Sequence, residues 1–196
     1  MIRSLAAAGL LATSIAGIGT TQPQLAGEVA AVQARDEADY LPPPALLRAA
    51  SLGHRAAVAD VLWSRVLTQY GLRFEERRPF PDLPRRLDAI LALEPDYAPL
   101  FRYAASFLVF HYPRATERDA KIARRYLERG LRARPSDPEI WRTYGEFVAG
   151  TGRSFLGSES EKLRWHEEGE RAIAHANELA ARAADPAASL LRSKQP

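Results

Sequence analysis

Large apolar residues recur at steps of three and four along most of the chain, which is the spacing of one face of an α-helix. The first such stretch covers residues 45–77, and we expect a break near Gly53. Nowhere do apolar and polar residues alternate over a useful length, as they would in a half-buried strand. The pattern therefore predicts an all-α fold. The apolar face of this first stretch consists of Val58, Val61, Leu62, Trp63, Val66, Leu67 and Tyr70.

Proline, glycine and capping residues divide the rest of the chain into further helices. A short helix is predicted over 85–93 and another helix over 116–134. Between them we expect a helix with Phe101 and Leu108 on its inner face. Ser136 with Glu139, and Ser158 with Glu161, have the spacing of capping boxes that open two later helices. After Gly150 the chain is expected to form a loop before the last helix. Asp185 and Pro186 are expected to end that helix.

One stretch has the spacing of a known repeat. Ala123 and Leu127 are followed by Pro135, and then by Trp141, Tyr144, Gly145 and Val148. This pattern resembles the tetratricopeptide (TPR) repeat, in which small residues let paired helices approach each other. The resemblance covers about residues 55–150 well and 151–186 poorly, because the last hairpin is stretched to 51 residues between Pro135 and Pro186. It implies antiparallel helix hairpins stacked as a short TPR-like solenoid, which binds a peptide or partner protein in its groove.

The register of the three hairpins indicates a candidate binding surface. If Trp63, Phe101 and Trp141 are equivalent inward-packing residues, the next residue on each helix starts a face turned by about 100°. In the TPR family this face lines the groove. Arg102 and Arg142 would bind a carboxylate or a peptide backbone there, and the alternative is an ordinary solvated face. The predicted partner-binding residues are Ser64, Thr68, Arg102, Ser106, Arg142 and Glu146.

Composition narrows the classes of function. The 196 residues are 46% hydrophobic and carry a formal net charge of +3, which is too mild an excess to indicate a nucleic-acid-binding surface. The chain contains no cysteine, which excludes a disulfide framework, a thiolate metal site and a cysteine nucleophile. The hydrophobic content suffices for one compact domain with a core, and the mild charge excess does not argue for a nucleic-acid partner.

One helix carries a distinct charge pattern. Residues 114–134 hold eight basic and three acidic side chains, and five of the basic ones share a stripe opposite Ala123 and Leu127. The stripe is interpreted as a solvated outer face, and the alternative is contact with an acidic partner or an anionic membrane surface. Its members are Arg118, Lys121, Arg125, Arg129 and Arg132.

The N-terminal region has the layout of an export signal. Arg3 is followed by a run of about 15 small and apolar residues, so residues 1–27 are predicted to be a signal peptide or an N-terminal anchor. Residues 28–44 are predicted to form a polar, proline-rich tether, 45–186 the TPR-like helical domain, and 187–196 a C-terminal tail. The protein is therefore expected to be periplasmic or otherwise exported, with anchoring in the inner membrane as an alternative.

Candidate chemistry elsewhere is weak. His166, Glu170 and His175 lie along one predicted helix, but the spacing lacks the paired histidines of a zincin helix, and a solvated face explains it better. No serine lies in a Gly-x-Ser-x-Gly elbow. We therefore expect no cofactor, no metal and no catalysis. The predicted function is an interaction scaffold in a cell-envelope complex. The alternative is a fixed structural subunit of a larger assembly, and a small helical envelope hydrolase is a third hypothesis.

Overall fold

The computed structural model describes residues 41–111 and 113–184, and every regular element among them is helical. The all-α prediction is confirmed. The break expected near Gly53 is a turn between the first two helices. In chain order the helices are α1 (Pro44–Ala50), α2 (Arg55–Glu75), α3 (Leu83–Leu93), α4 (Ala98–Val109), α5 (Glu117–Ala133), α6 (Pro138–Glu146) and α7 (Glu159–Ala184).

The predicted domain boundaries are only partly within this range. Predictions for residues 1–40 and 185–196 lie outside the described residues, including the signal or anchor segment, most of the tether and the C-terminal tail. Helix α1 begins at Pro44, next to the predicted start of the helical domain. Among the described helices, none is both long enough and apolar enough to cross a membrane.

Local capping explains where two of the helices begin. Thr116 and Asp119 form a reciprocal capping box at the start of α5. At the start of α6 the Asp137 side chain accepts a hydrogen bond from the amide of Glu139 at 3.0 Å, so the predicted capping box of Ser136 is wrong. Asp137 prevails because it lies directly before the first helical residue, where its carboxylate reaches the unpaired amides.

The described residues from Pro43 onward belong to one compact unit built from helix pairs. Helix α2 packs on α3, α4 on α5, and α6 on α7, and α6 also contacts α4 and α5. At the centre of these contacts Phe101, Leu127 and Ile140 are fully buried. Consecutive pairs are the arrangement expected of stacked hairpins, and the predicted solenoid remains a prediction.

Helices α6 and α7 approach so closely that their backbones touch. A Cβ added at Gly145 would lie 2.7 Å from the carbonyl oxygen of Gly169 and 2.6 Å from the Ile173 side chain. A Cβ at Gly169 would lie 2.5 Å from the amide nitrogen of Ala149. Glycine at both positions therefore permits this crossing, as expected of Gly145 from its place in the repeat pattern.

The three tryptophans do not play equal structural roles. Trp63 and Trp165 are buried, with 7% and 5% of their surfaces exposed. Trp141 is only half-buried, and its indole N–H donates to the Pro135 carbonyl at 2.8 Å. Its neighbour Ile140 is the residue that enters the core, so the register assumed for Trp141 as an inward-packing residue is inexact.

Candidate functional site

An open cavity lies between α4 and α6, and we call it the groove. Its volume is about 270 Å³. Helix α4 contributes one wall because its residues at steps of three and four face α6, and α6 with the turn after it contributes the other. The groove is lined by Arg102, Ala105, Ser106, Val109, Phe110, Thr143, Glu146, Phe147 and Thr151.

The turn after α6 has an unusual backbone that shapes the groove. Residues Phe147–Thr151 form a π-helical turn, and Gly152–Phe155 form a 3-10 turn, where a loop was expected after Gly150. A side chain at Gly152 would lie 2.6 Å from the ring of Phe147, so glycine there makes room for that ring. Short π-helical segments occur frequently at functional sites. The irregular backbone places both Phe147 and Thr151 on the groove.

Three of the six residues predicted to bind a partner line this groove. They are Arg102, Ser106 and Glu146. The Arg102 guanidinium lies 3.3 Å from the Glu139 carboxylate, so its charge is already paired. Glu146 makes no ion pair within the part of the chain that the structure describes, and the Ser106 hydroxyl makes no hydrogen bond there. Arg102 therefore helps to hold α4 against α6, while Glu146 offers an unpaired charge.

The other three predicted residues lie elsewhere. Arg142 donates to the side-chain oxygen of Asn177 on α7 at 2.8 Å and does not line the groove. Ser64 and Thr68 lie exposed on α2, and each hydroxyl donates to the carbonyl four residues earlier, Asp60 and Ser64 respectively. Hydroxyls bonded in this way are less available to a partner.

Thr143, Phe147 and Thr151 line the groove although the sequence did not indicate them. Thr143 could have been found by centring the buried face of α6 on Ile140 instead of Trp141. The glycines of the segment 150–157 suggested a loop, and no local signal indicated that Phe147 and Thr151 belong to a π-helical turn.

A second cavity, which we call the apolar pocket, adjoins the groove and shares Val109 and Phe110 with it. Its volume is about 510 Å³. Phe74 and Phe110 flank it with 58% and 53% of their surfaces exposed. The 3-10 turn supplies another aromatic ring from Phe155. The apolar pocket is lined by Phe74, Val109, Phe110, His111, Arg114, Ala115, Ser154 and Phe155.

Aromatic contacts between α2 and α4 position this pocket. The Tyr70 ring lies 4.3 Å from that of Phe107 and 6.0 Å from that of Phe74. The Tyr70 hydroxyl also donates to the carbonyl of Phe110. Tyr70 therefore holds two residues of the pocket, Phe74 through its ring and Phe110 through its backbone carbonyl.

A polar cluster ties α5, α6 and α7 together behind the groove. Arg124 of α5 bonds Glu128 at 2.7 Å and Glu168 of α7 at 2.8 Å, and its guanidinium lies 4.7 Å from the centre of the Trp165 ring. The Tyr144 hydroxyl donates to Glu168. Burial first, and then this hydrogen bond, raise the pKa of Tyr144 above its ordinary value. These charges satisfy one another, so the cluster holds the three helices in register.

The basic stripe on α5 is exposed along its whole length. Lys121 pairs with Glu117 at 2.6 Å and with Glu161 at 3.3 Å, and its bond to Glu117 raises the pKa of its ammonium group. Arg129 pairs with Asp88 at 2.8 Å. Within the described residues, no ion pair forms at the remaining members. The ion pairs of Lys121 and Arg129 neutralise part of the charge of the stripe, which agrees with a solvated outer face. The members without an ion pair are Arg118, Arg125 and Arg132.

His175 on α7 packs against other side chains of the protein. The ring of His175 stands edge-on to Trp141 with ring centres 4.5 Å apart, and its Nδ1 lies 4.0 Å from Glu178. Within residues 41–111 and 113–184, no three histidine or carboxylate groups are placed to hold a metal ion. The aromatic contact explains the position of His175 through packing.

Comparisons of the chain with protein-family models, with curated proteins and with solved structures give no match. The function is therefore argued from the groove and the apolar pocket themselves.

Proposed function

We propose that this protein is a non-catalytic interaction scaffold that binds a segment of a partner protein in the groove between α4 and α6. The observation that carries the proposal is the meeting of Arg102, Ser106 and Glu146 in one open cavity. These residues share one face in a hairpin register that resembles that of TPR proteins, whose concave surfaces bind partners. The packing of consecutive helices in pairs also supports this proposal.

The polarity of the groove supports binding rather than packing. Its floor includes apolar side chains such as Val109 and Phe147, while its edges carry a hydroxyl at Ser106 and a carboxylate at Glu146. Sites that hold a ligand combine an apolar surface with a small number of polar groups that fix orientation. A segment of a partner protein can contact both the apolar surface and the polar groups.

Site-directed photo-crosslinking tests the proposal. A photoreactive amino acid replaces Ser106 in the groove, and in a control protein it replaces the exposed Arg164 on α7. Because only the groove is expected to hold a partner, Ser106 should give a discrete adduct with another protein in intact cells, and Arg164 should not. Equal adducts at both positions, or none at Ser106, would contradict the proposal.

A second candidate function is that of a fixed subunit in a larger assembly. It is favoured by four large apolar side chains that α2 leaves exposed, Val61, Leu67, Leu72 and Phe74. Large apolar patches are seldom left in contact with water. A purified chain that aggregates unless it is produced with a partner would favour this function over exchangeable binding.

We also propose that the protein works outside the cytoplasm, on the basis of the apolar stretch that follows Arg3 in residues 1–27. In that setting the scaffold would serve a cell-envelope complex. Residues 1–27 would either be cleaved as a signal peptide or remain as an anchor. A C-terminal reporter that is active only outside the cytoplasm should then be active. Activity of a cytoplasm-specific reporter alone would refute this.

A further inference from the structure

We propose that the groove and the apolar pocket together hold one peptide segment of defined chemistry: a bulky apolar side chain flanked on one side by a basic residue and on the other by an acidic residue. This inference rests on the proposed function and specifies its partner. It follows from the adjacency of the two cavities, the exposed aromatic rings and the positions of two unpaired charges.

The two cavities adjoin each other, because Val109 and Phe110 line both of them. The π-helical turn supplies Phe147 and Thr151 to the groove, and the 3-10 turn that follows it supplies Phe155 to the apolar pocket. One irregular stretch of backbone therefore lines both cavities. A single segment lying along this surface would contact both.

The apolar pocket accounts for the bulky apolar residue. Phe74 and Phe110 each expose more than half of their surface at its rim, and Ala115 and Phe155 add further apolar wall. A volume of about 510 Å³ accommodates a large aliphatic or aromatic side chain. Burial of such a side chain would remove the exposed rings from water, and anchors of this kind dominate binding at protein interfaces.

The charges at the two ends account for the flanking residues. Glu146 lies in the groove, and Arg114 lies in the apolar pocket on the other side of the shared wall. Within the described residues neither side chain makes an ion pair or a hydrogen bond, whereas Arg102 is already paired with Glu139. Complementary charges fix the register of a bound partner. A basic residue would therefore face Glu146 and an acidic one Arg114.

Selection of short random peptides against the purified full-length chain tests this inference. The enriched peptides should carry a basic residue at the groove end, a bulky apolar residue in the middle and an acidic residue at the pocket end. Against Glu146→Lys, the selection should instead enrich an acidic residue at the groove end. Against Arg114→Glu, it should enrich a basic residue at the pocket end. Arg164→Glu is the control because Arg164 is exposed on α7, and it should leave the preference unchanged.

The affinity of one enriched, fluorescently labelled peptide gives a quantitative check. Glu146→Lys should weaken binding by about tenfold or more, because a like charge replaces a complementary one. A peptide with its basic residue changed to glutamate should recover the affinity for this variant. Phe74→Ser, at an exposed position, should weaken both peptides alike because it removes part of the apolar wall.

The outcomes separate this inference from the proposed function. The enriched peptides could bind and compete with crosslinking at Ser106, yet bind both charge-reversal variants as well as the original protein. That result would overturn the inference and leave the scaffold function intact. If no peptide is enriched and Ser106 gives no adduct, both fail. Self-association of the purified chain that Phe74→Ser abolishes would show that a second copy occupies the apolar pocket, which also overturns the inference. So would binding to anionic vesicles that Arg114→Glu abolishes.

Discussion

Replacing Gly145 with alanine tests the close crossing of α6 and α7, on which the groove depends. The added Cβ would lie 2.6 Å from Cγ1 of Ile173 and 2.7 Å from the carbonyl oxygen of Gly169. Non-bonded carbon atoms normally sit about 3.5–4.0 Å apart. Because one of the clashing atoms belongs to the backbone of α7, a side-chain rotation cannot relieve the overlap. The two helices must move apart.

A matched control isolates the cost of this overlap. Gly71 lies exposed in α2, and no atom comes within 4 Å of a Cβ built there. Gly71→Ala should stabilise the protein by about 0.5–1 kcal/mol, since alanine is the better helix former. Gly145→Ala gains a similar helix propensity but overpacks the crossing, at a cost of about 1–3 kcal/mol. The difference in the free energy of unfolding between the variants should therefore be about 1–3 kcal/mol.

Urea unfolding followed by far-ultraviolet circular dichroism measures that difference, provided that the slope with denaturant is unchanged. For a folded unit of this size, each kcal/mol corresponds to a shift of about 2–4 °C in Tm. Gly145→Leu should cost more than Gly145→Ala because its side chain is larger. Equal stabilisation by alanine at both glycines would refute the reasoning and show that the helices separate without cost.

Two further predictions concern a helix cap and alkaline stability. Asp137→Ala should destabilise the protein by about 0.5–2 kcal/mol in urea unfolding, whereas Ser136→Ala should be nearly neutral, and the reverse order would restore the capping box of Ser136. Burial, and then hydrogen bonding for Tyr97 and Tyr144, raise the folded-state pKa of Tyr97, Tyr126 and Tyr144 above the ordinary value of 10. The stability that these three tyrosines contribute is present below pH 10 and is lost as the pH rises above it. Their tyrosinate absorbance should therefore appear together with unfolding. If every tyrosine instead titrates ordinarily in the folded protein, the prediction is contradicted.

The helices themselves could be predicted well from the sequence. Apolar spacing, prolines and capping residues identified α2, α5 and the break between α1 and α2 to within a few residues. These signals act over one or two helical turns, so the residues that determine them are close in the chain. The all-α class follows for the same reason. Short-range interactions also explain why Asp137, rather than Ser136, caps α6. The capping residue is the one whose side chain reaches the first unpaired backbone amides of the helix.

The candidate site could be predicted only in part. Arg102 and Arg142 occupy the same position in the hairpin register, yet only Arg102 lines the groove. Arg142 instead reaches Asn177, because contact between Gly145 and Gly169 brings α7 close to α6. The sequence shows each glycine but not that the two will meet.

What the sequence determined by itself was the helical content and the order of the helices. Only the tertiary structure decided which of the outward residues face one another, where the π-helical turn falls, and that the groove and the apolar pocket adjoin. The physical reason is that distances between helices depend on side chains far apart in the chain. A single missing Cβ at a crossing can bring two helices into backbone contact and so redirect the long side chains around it.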